Sequence, residues 1–490
     1  MLFSSIEFAI FFIIVCALYW ATYKWRHVQN FILFAASMYF YAQLHYSFPI
    51  YIICMAGISY LFANIIEKKE NERKRKRWLI AGICTVSLGL IYTKYSGFLL
   101  GSFRGLEQWQ STALHILTPV GISFYTFAML GYMLEVYYEN IPAERNFLTY
   151  ASYISFFPHL LSGPIASSLT VLPQFSKKPV LTIASADEAI GEFIWGLFKK
   201  MVVADNISLA VSLCFSSNNS DLNGSSLYVG AVLFGVQIYA DFSGYSSMAR
   251  GCAKMLGIDL VQNFHTPLFS KSVSEYWRRW HISLTTWFNS YIYNPIVFSI
   301  MRWGKWSVII GLMLTFLISG IWHGAGWQYI IFGVVNGLAL VYEMLTKKLR
   351  EKIFGKLPKI INTFISRFLV LNFMIFSWIF FRANSVKEAV DIISRIFSKS
   401  FFEAPTPFVL KYLVWIIPLI VIEWIQRNGT YTMDMLQWLP TKVTHKNKPQ
   451  KQNLKWMHIA IKITIYVLLG ISIYLFYKKQ NMAEYYYFKF

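Results

Sequence analysis

The sequence predicts an all-α integral membrane protein, and three observations predict that fold class. Hydrophobic residues make up 56% of the 490 residues, whereas charged residues make up only 14%. Mean hydropathy is +0.45. Apolar runs long enough to cross a bilayer alternate with short basic segments. A soluble chain of this size would have too few charged residues to cover so much apolar surface. Disordered, fibrous and disulfide-stapled classes are excluded for the same reason.

Apolar runs of membrane-segment length recur from the N-terminus onward. They predict roughly eleven to thirteen membrane segments. The runs cover about residues 6–19, 31–44, 49–66, 78–100, 117–136, 147–165, 189–215, 227–248, 292–300, 308–321, 327–345, 364–381, 408–424 and 459–477. Several are short or interrupted by Gly and Pro, and such segments usually re-enter or line a cavity, because broken backbone is not tolerated against lipid. We therefore expect interfacial and re-entrant helices among the spans, within one membrane-embedded domain over residues 1–490.

The charge distribution predicts the orientation in the membrane. Lys and Arg exceed Asp and Glu by 45 to 24, a net charge of +21. The basic residues cluster between apolar runs, which is the positive-inside pattern rather than the signature of a nucleic-acid partner. Residues 24–27 and 68–77 fall on the same side of the predicted membrane. The N-terminus is therefore predicted outside. The five cysteines show no CxxC or Cys/His spacing, so neither a metal site nor a disulfide framework is expected.

Ionisable residues inside a bilayer are costly and mark functional sites. The stretch 274–291 predicts an amphipathic helix with tryptophans along one stripe, including Trp277, with Arg278 and Arg279 pointing away and His281 at the edge. The alternative is a surface helix whose arginines bind lipid phosphates. Both interpretations place this helix at or near the membrane interface.

Two further stretches carry isolated ionisable side chains. His323 follows Trp322 in an apolar, glycine-rich segment, where a neutral imidazole can accept a proton from a hydroxyl. The alternative is a structural histidine bonded to a carbonyl. Asp241 ends a long apolar run and needs a cationic partner, for which Arg250 and the arginine pair at 278–279 are candidates. Catalytic carboxylate and structural counter-ion both remain open for it.

Six sequence blocks, taken together, resemble the membrane-bound O-acyltransferase superfamily, and within it the bacterial branch that holds the alginate O-acetylation membrane subunit. The blocks are residues 119–127 (PVGISFYTF), 156–159 with 163–165 (FFPH and GPI), 199–206 (KKMVVADN), 239–246 (YADFSGYS), 276–283 (YWRRWHIS) and 320–325 (GIWHGA). They span a motif core of about 117–337. Related proteins more often have Pro-Gln where this chain has Pro158-His159.

The resemblance implies a helical fold around a central tunnel and transfer of an acyl group from a thioester to a hydroxyl. It assigns His323 as the main catalytic residue, acting as general base, and His281 as a second tunnel residue. Arg278 and Arg279 are hypothesised to meet the phosphates of coenzyme A. The full set of expected substrate-binding residues is Trp277, Arg278, Arg279, Asp241 and Trp322.

The expected function is O-acetylation at the bacterial inner membrane. Acetyl from cytoplasmic acetyl-coenzyme A, a substrate rather than a resident cofactor, crosses the bilayer toward a cell-surface polysaccharide. Alginate-like, cellulose-like and peptidoglycan acceptors are all compatible. An extracytoplasmic acetyltransferase partner and membrane lipid are the expected neighbours. The alternatives are D-alanyl transfer to teichoic acid from a carrier protein, a non-enzymatic polysaccharide or lipid transporter, and a scaffold for an export complex.

Overall fold

The structure is a computed structural model that describes residues 1–102, 118–216, 219–426 and 452–477. Helices and turns form all of the regular structure in these ranges, which contain no strand. The predicted all-α fold class is therefore confirmed.

The first half of the chain is a series of helices interrupted by two π-helical turns. These helices are α1 (Ile6–Ala21), α2 (Arg26–Ala42), α3 (Phe48–Glu67), α4 (Glu72–Leu90), α5 (Ser96–Ser102), α6 (Ile122–Tyr137), α7 (Phe147–Ser155), α8 (Phe157–Leu160), α9 (Ile183–Leu197), α10 (Asp205–Cys214) and α11 (Gly224–Met255). One π-helical turn, Ile91–Tyr95, joins α4 to α5, and the other, Phe198–Ala204, joins α9 to α10.

The second half begins with short helices and continues with long ones. Its helices are α12 (Val273–Arg279), α13 (Ile282–Phe288), α14 (Asn294–Ser299), α15 (Lys305–His323), α16 (Trp327–Leu345), α17 (Lys347–Phe354), α18 (Lys359–Arg382), α19 (Val386–Ile396), α20 (Pro407–Leu410), α21 (Ile416–Gln426) and α22 (Gln452–Tyr477). The π-helical turn Asn289–Tyr293 links α13 to α14.

Seven helical segments in the described ranges are long and apolar enough to cross a membrane. They are Phe48–Glu67, Glu72–Leu99, Gly224–Met255, Lys305–His323, Trp327–Leu345, Lys359–Arg382 and Pro407–Trp424. The chain is therefore a multi-span membrane protein. The predicted eleven to thirteen segments also counted shorter apolar stretches. Residues 147–165, for example, form α7, α8 and a buried loop instead of one span.

Helix α11 is the most buried of the seven candidate membrane helices. Within its 32 residues, 78% of the most apolar window is buried inside the protein. Glycines let neighbouring helices approach it closely: a Cβ at Gly244 would lie 2.9 Å from the Gly196 carbonyl oxygen on α9, and one at Gly251 would lie 2.6 Å from the Ala189 carbonyl oxygen. Small residues at such crossings are the usual device for packing helices inside a bilayer.

Helices α15 and α16 form a tight hairpin, and its turn follows His323, the last residue of α15. A Cβ at Gly333 would lie 2.2 Å from the Phe316 carbonyl oxygen, and one at Gly320 would lie 2.4 Å from the Tyr329 carbonyl oxygen. The two backbones are therefore in direct contact near the turn. This contact fixes the position of the last helical residue of α15.

The predicted continuous helix over residues 274–291 is wrong. Helix α12 ends at Arg279, Trp280 is extended, and His281 has the left-handed φ of +45° before α13 begins. The preceding loop imposes this break: the His265 amide donates to the Arg279 carbonyl at 2.8 Å, and the Ile282 amide donates to the Asn263 carbonyl at 2.9 Å. These long-range hydrogen bonds replace helical ones, so the tryptophan stripe does not form a single face.

Candidate active site

His281 lies in the interior because of the break between α12 and α13. Its side chain is 1% exposed. Its ring centroid lies 4.7 Å from that of Phe242 on α11 and 6.2 Å from that of Phe124 on α6, the latter nearly parallel to it. The residue lies outside the seven candidate spans, and burial lowers the pKa of its imidazole to about 3. His281 is therefore neutral at physiological pH.

His323 is the last residue of α15 and is 3% exposed. Its ring makes edge contacts with Phe381 of α18 at 5.1 Å and with Phe332 of α16 at 5.8 Å. Three different helices therefore enclose its imidazole. This surrounding is apolar and shields the ring from bulk water.

Trp322 lies between the two histidines. Its ring centroid is 4.8 Å from that of His323 and 6.1 Å from that of His281. The structure thus brings the two predicted catalytic residues and Trp322 together. We call this group of packed rings the aromatic chamber, and its members are Phe124, Phe242, His281, Trp322, His323, Phe332 and Phe381.

The backbone at His281 is held by a buried polar cluster. The Asn263 side-chain oxygen accepts from the Ser283 amide at 3.2 Å and from its hydroxyl at 2.6 Å. The Ile165 amide donates to the same hydroxyl at 3.0 Å. These contacts tie the start of α13 to two distant loops, so the left-handed turn at His281 is a fixed feature of the fold.

The left-handed turn predicts unequal substitution effects at His281. Asn visits this backbone region more readily than Ala does, so we expect His281→Asn to be more stable than His281→Ala by about 1 kcal/mol. Thermal unfolding in detergent of the two variants measures the difference. An alanine variant as stable as the asparagine variant would contradict the role of backbone strain here.

The two arginines of α12 have different surroundings. Arg279 forms an ion pair with Glu275 at 2.8 Å and donates to the His265 carbonyl at 3.2 Å. Arg278 is exposed and donates to the Ser274 hydroxyl at 3.0 Å. Arg279 therefore stabilises the loop around His265, whereas Arg278 lines a large cavity.

That cavity has a volume of about 660 Å³ and lies between α12, α15, α16 and α17. Its lining mixes apolar and charged side chains, including Leu312, Leu340, Glu343, Arg278, Lys347 and Arg350. Arg350 is engaged by the Glu343 carbonyl at 2.8 Å. Glu343 in turn accepts from the Val273 and Ser274 amides at 2.7 and 3.0 Å, which caps the start of α12. Arg278 and Lys347 thus carry the positive charge best placed for a ligand.

Trp277 of α12 contacts the aromatic chamber through Phe332. It is buried, and its indole N–H donates to the Asn336 side-chain oxygen at 3.2 Å. Its ring contacts Phe316 at 5.1 Å and Phe332 at 6.3 Å. Since Phe332 also contacts His323, a single aromatic ring connects Trp277 to that histidine.

Asp241 is paired with a lysine, not with any of the three predicted arginines. Its carboxylate lies 2.8 Å from the Lys200 ammonium, which also contacts Asp205 at 2.9 Å. The predicted partner Arg250 pairs instead with Glu192 at 3.1 Å. This geometry favours the counter-ion interpretation, and a substrate-binding role for Asp241 stays a prediction. Within the described ranges, no group of three or more His, Cys, Asp or Glu side chains is placed to hold a metal ion.

Sequence reasoning missed Lys94, which lies in the π-helical turn after α4. Its ammonium donates to the Trp322 carbonyl at 2.6 Å, the peptide group next to His323. The signal was present, because a lysine inside a predicted span is itself a candidate functional residue. Lys94 was overlooked because it lies within the apolar run 78–100 and belongs to none of the sequence motifs.

Comparison with known proteins identifies the family. Residues 138–385 match the model described as MBOAT, membrane-bound O-acyltransferase family. The probable alginate O-acetylase AlgI of Pseudomonas aeruginosa is 32% identical over 411 residues, covering 81% of this chain and 75% of that protein. The peptidoglycan O-acetyltransferase of Helicobacter pylori is 32% identical over 385 residues, covering 73% and 72%. The teichoic acid D-alanyltransferase of Bacillus subtilis is 29% identical over 282 residues, covering 54% and 69%.

The matched residues include both chamber histidines and Trp322 between them. The similarity to the Pseudomonas protein also extends over most of the chain, well beyond the range of the family model. On both grounds, this multi-span protein belongs to the membrane-bound O-acyltransferase family and is an acyltransferase.

Proposed function

We propose that this enzyme transfers acetyl from cytoplasmic acetyl-coenzyme A to a hydroxyl group destined for a cell-surface polysaccharide, with His323 as general base. The observation that carries the proposal is the aromatic chamber, in which His281 and His323 flank Trp322. A thioester must be protected from water until the acceptor arrives. A buried imidazole among aromatic rings combines a proton acceptor with that protection.

In the proposed chemical step, His323 is the only residue that accepts and returns a proton. Its imidazole takes the proton of the acceptor hydroxyl while that oxygen attacks the thioester carbonyl. The C–O bond forms, the C–S bond breaks, and the imidazolium returns the proton to the departing thiolate. His281 faces the same chamber and orients the acceptor or the donor.

The 660 Å³ cavity is the proposed entry for the donor. Leu312 on its wall and His323 lie on the same face of α15, separated by eleven residues or about 16 Å of helix. An extended pantetheine arm has this kind of reach. It would pass Trp277 and Phe316 to bring the thioester to the chamber, while the phosphates of coenzyme A stay with Arg278 and Lys347.

Removing two of the three cations that line the cavity tests this donor site. We expect the double variant Arg278→Gln/Lys347→Gln to raise the KM for acetyl-coenzyme A about tenfold with little change in kcat, because these exposed charges contact the donor away from the reacting atoms. Lys352→Gln is the matched control, since Lys352 lies on the same helix as Lys347 but does not line the cavity. Donor KM values unchanged in the double variant would contradict the site.

The acceptor class and the location are inferred from relatives and charge. The relatives from Pseudomonas and Helicobacter are named for alginate and peptidoglycan acetylation, so we assign a polysaccharide acceptor, reached with an extracytoplasmic acetyltransferase partner. The basic segments 24–27, 68–77 and 347–352 support an orientation in which the cavity opens to the cytoplasm and the N-terminus lies outside. The enzyme accordingly resides in the bacterial inner membrane, surrounded by lipid.

A donor comparison tests the proposed function against its nearest rival. The purified protein in nanodiscs is given acetyl-coenzyme A or a D-alanyl carrier protein, and release of free thiol is followed with acceptor present. We expect release from acetyl-coenzyme A only. Release from the carrier alone would favour D-alanyl transfer, as named for the Bacillus relative. With neither donor consumed, the acetyl-transfer proposal would be contradicted.

A further inference from the structure

Lys94 is a basic side chain inside the membrane segment Glu72–Leu99, next to the aromatic chamber. Its ammonium donates to the Trp322 carbonyl at 2.6 Å and to the Ser123 hydroxyl at 3.2 Å. It also lies 5.6 Å from the centre of the Trp322 ring. Within the described ranges, no carboxylate lies at ion-pair distance from it. A lysine kept at this depth without a carboxylate partner needs an explanation beyond charge pairing.

The group that Lys94 binds is the end of the helix that carries His323. The last carbonyls of a helix lack intrahelical donors and form its negative pole. At the end of α15, Lys94 binds the Trp322 carbonyl, and the Tyr95 hydroxyl donates to the Ile321 carbonyl at 2.8 Å. A cation and a hydroxyl thus hold the two peptide groups that immediately precede His323.

Both donors belong to the π-helical turn after α4. Consecutive side chains of a regular α-helix diverge by about 100°, yet Lys94 and Tyr95 both reach the carbonyls of one helix end. The turn Ile91–Tyr95 is also anchored from outside, since the Thr118 hydroxyl donates to the Thr93 carbonyl at 2.7 Å. Isolated π-helical turns are frequent at functional sites.

We propose that Lys94 is a positioning residue for acyl transfer: its ammonium fixes the last turn of α15 and so keeps the His323 imidazole aimed into the aromatic chamber. The proposal rests on the proposed function, because it assumes that His323 is the base. Lys94 acts through the Trp322 peptide group, so its loss should slow the chemical step and leave donor binding intact.

The test compares Lys94→Met with Lys94→Arg in the acetyl-coenzyme A assay. We expect Lys94→Met to lower kcat at least tenfold with the donor KM unchanged, and Lys94→Arg to recover most of the loss, because a guanidinium still donates to the carbonyl. Tyr95→Phe removes only a neutral hydroxyl from the same helix end and should lower kcat less. Lys94→Gln, which keeps an N–H donor without charge, substitutes for the methionine variant if that variant does not fold.

A second comparison separates failure of this proposal from failure of the proposed function. On the residual turnover of His323→Ala, adding Lys94→Met should cause no further loss, because residues that act as one unit are not additive. Full activity in His323→Ala would overturn the proposed function, whatever Lys94 does. An inactive His323→Ala beside a fully active Lys94→Met, or equal losses in the methionine and arginine variants, would overturn the role of Lys94 alone.

Discussion

His323→Ala is expected to lower acetyl-coenzyme A turnover by at least about a hundredfold, the usual contribution of a positioned general base. The substitution removes the imidazole at the end of α15 and leaves the helix hairpin intact, because the close contact between α15 and α16 is made by Gly320 and Gly333. The protein should therefore insert and fold as before. Initial rates of thiol release, with expression and thermal unfolding measured in parallel, test the prediction.

His159 supplies the matched control for His323. It is also a buried histidine, but its Nε2 contacts the Tyr153 carbonyl at 2.9 Å, so its hydrogen-bonding capacity serves the fold. Glutamine keeps a donor for that carbonyl, and His159→Gln should retain most of the turnover. If His159→Gln were as inactive as His323→Ala, the loss would reflect damage to the fold and not loss of a base.

Lys200→Met is expected to destabilise the protein by about 3–5 kcal/mol, the range for breaking a buried ion pair. The Lys200 ammonium lies 2.8 Å from Asp241 and 2.9 Å from Asp205, and all three side chains are at most 8% exposed. Without the cation, two carboxylates remain buried close to each other. Chemical or thermal unfolding in detergent measures the loss.

Two variants control for the change at Lys200. Lys254→Met breaks the ion pair with Glu188, which is formed at 2.8 Å but is partly exposed, and should cost less than about 1 kcal/mol. The triple variant Lys200→Met/Asp205→Asn/Asp241→Asn removes both carboxylates with the lysine and should recover much of the stability. A loss at Lys200 as small as that at Lys254 would contradict a structural role for the buried cluster.

The fold class was predictable because it depends on composition, whereas the shape of the site was not. Residues 274–291 have the periodicity of an amphipathic helix, and only the hydrogen bonds that Ile282 donates to Asn263 and His265 donates to Arg279 reveal the break at His281. Those bonds join segments that the sequence does not show to be neighbours. The inward position of His281 therefore follows from tertiary contacts, although its chemical importance followed from the family resemblance.

The partner of Asp241 was unpredictable for a similar reason. Arg250 is close to it in sequence, but Lys200 reaches it because α9 and its π-helical turn pack on α11 through glycines. The sequence also predicts that Arg278 and Arg279 bind the phosphates of coenzyme A together. In the structure only Arg278 lines the cavity, whereas Arg279 pairs with Glu275. The assignment of residues 1–490 to one domain stays a prediction.

The most direct test of the central claim is label transfer from radiolabelled acetyl-coenzyme A to a polysaccharide acceptor, measured with co-purified partner in nanodiscs. We expect labelled acceptor and free thiol in equal amounts with the wild type and with His159→Gln, and both products at least about a hundredfold lower with His323→Ala. Labelled acceptor formed by His323→Ala at the wild-type rate would contradict the assignment of the chamber as the active site.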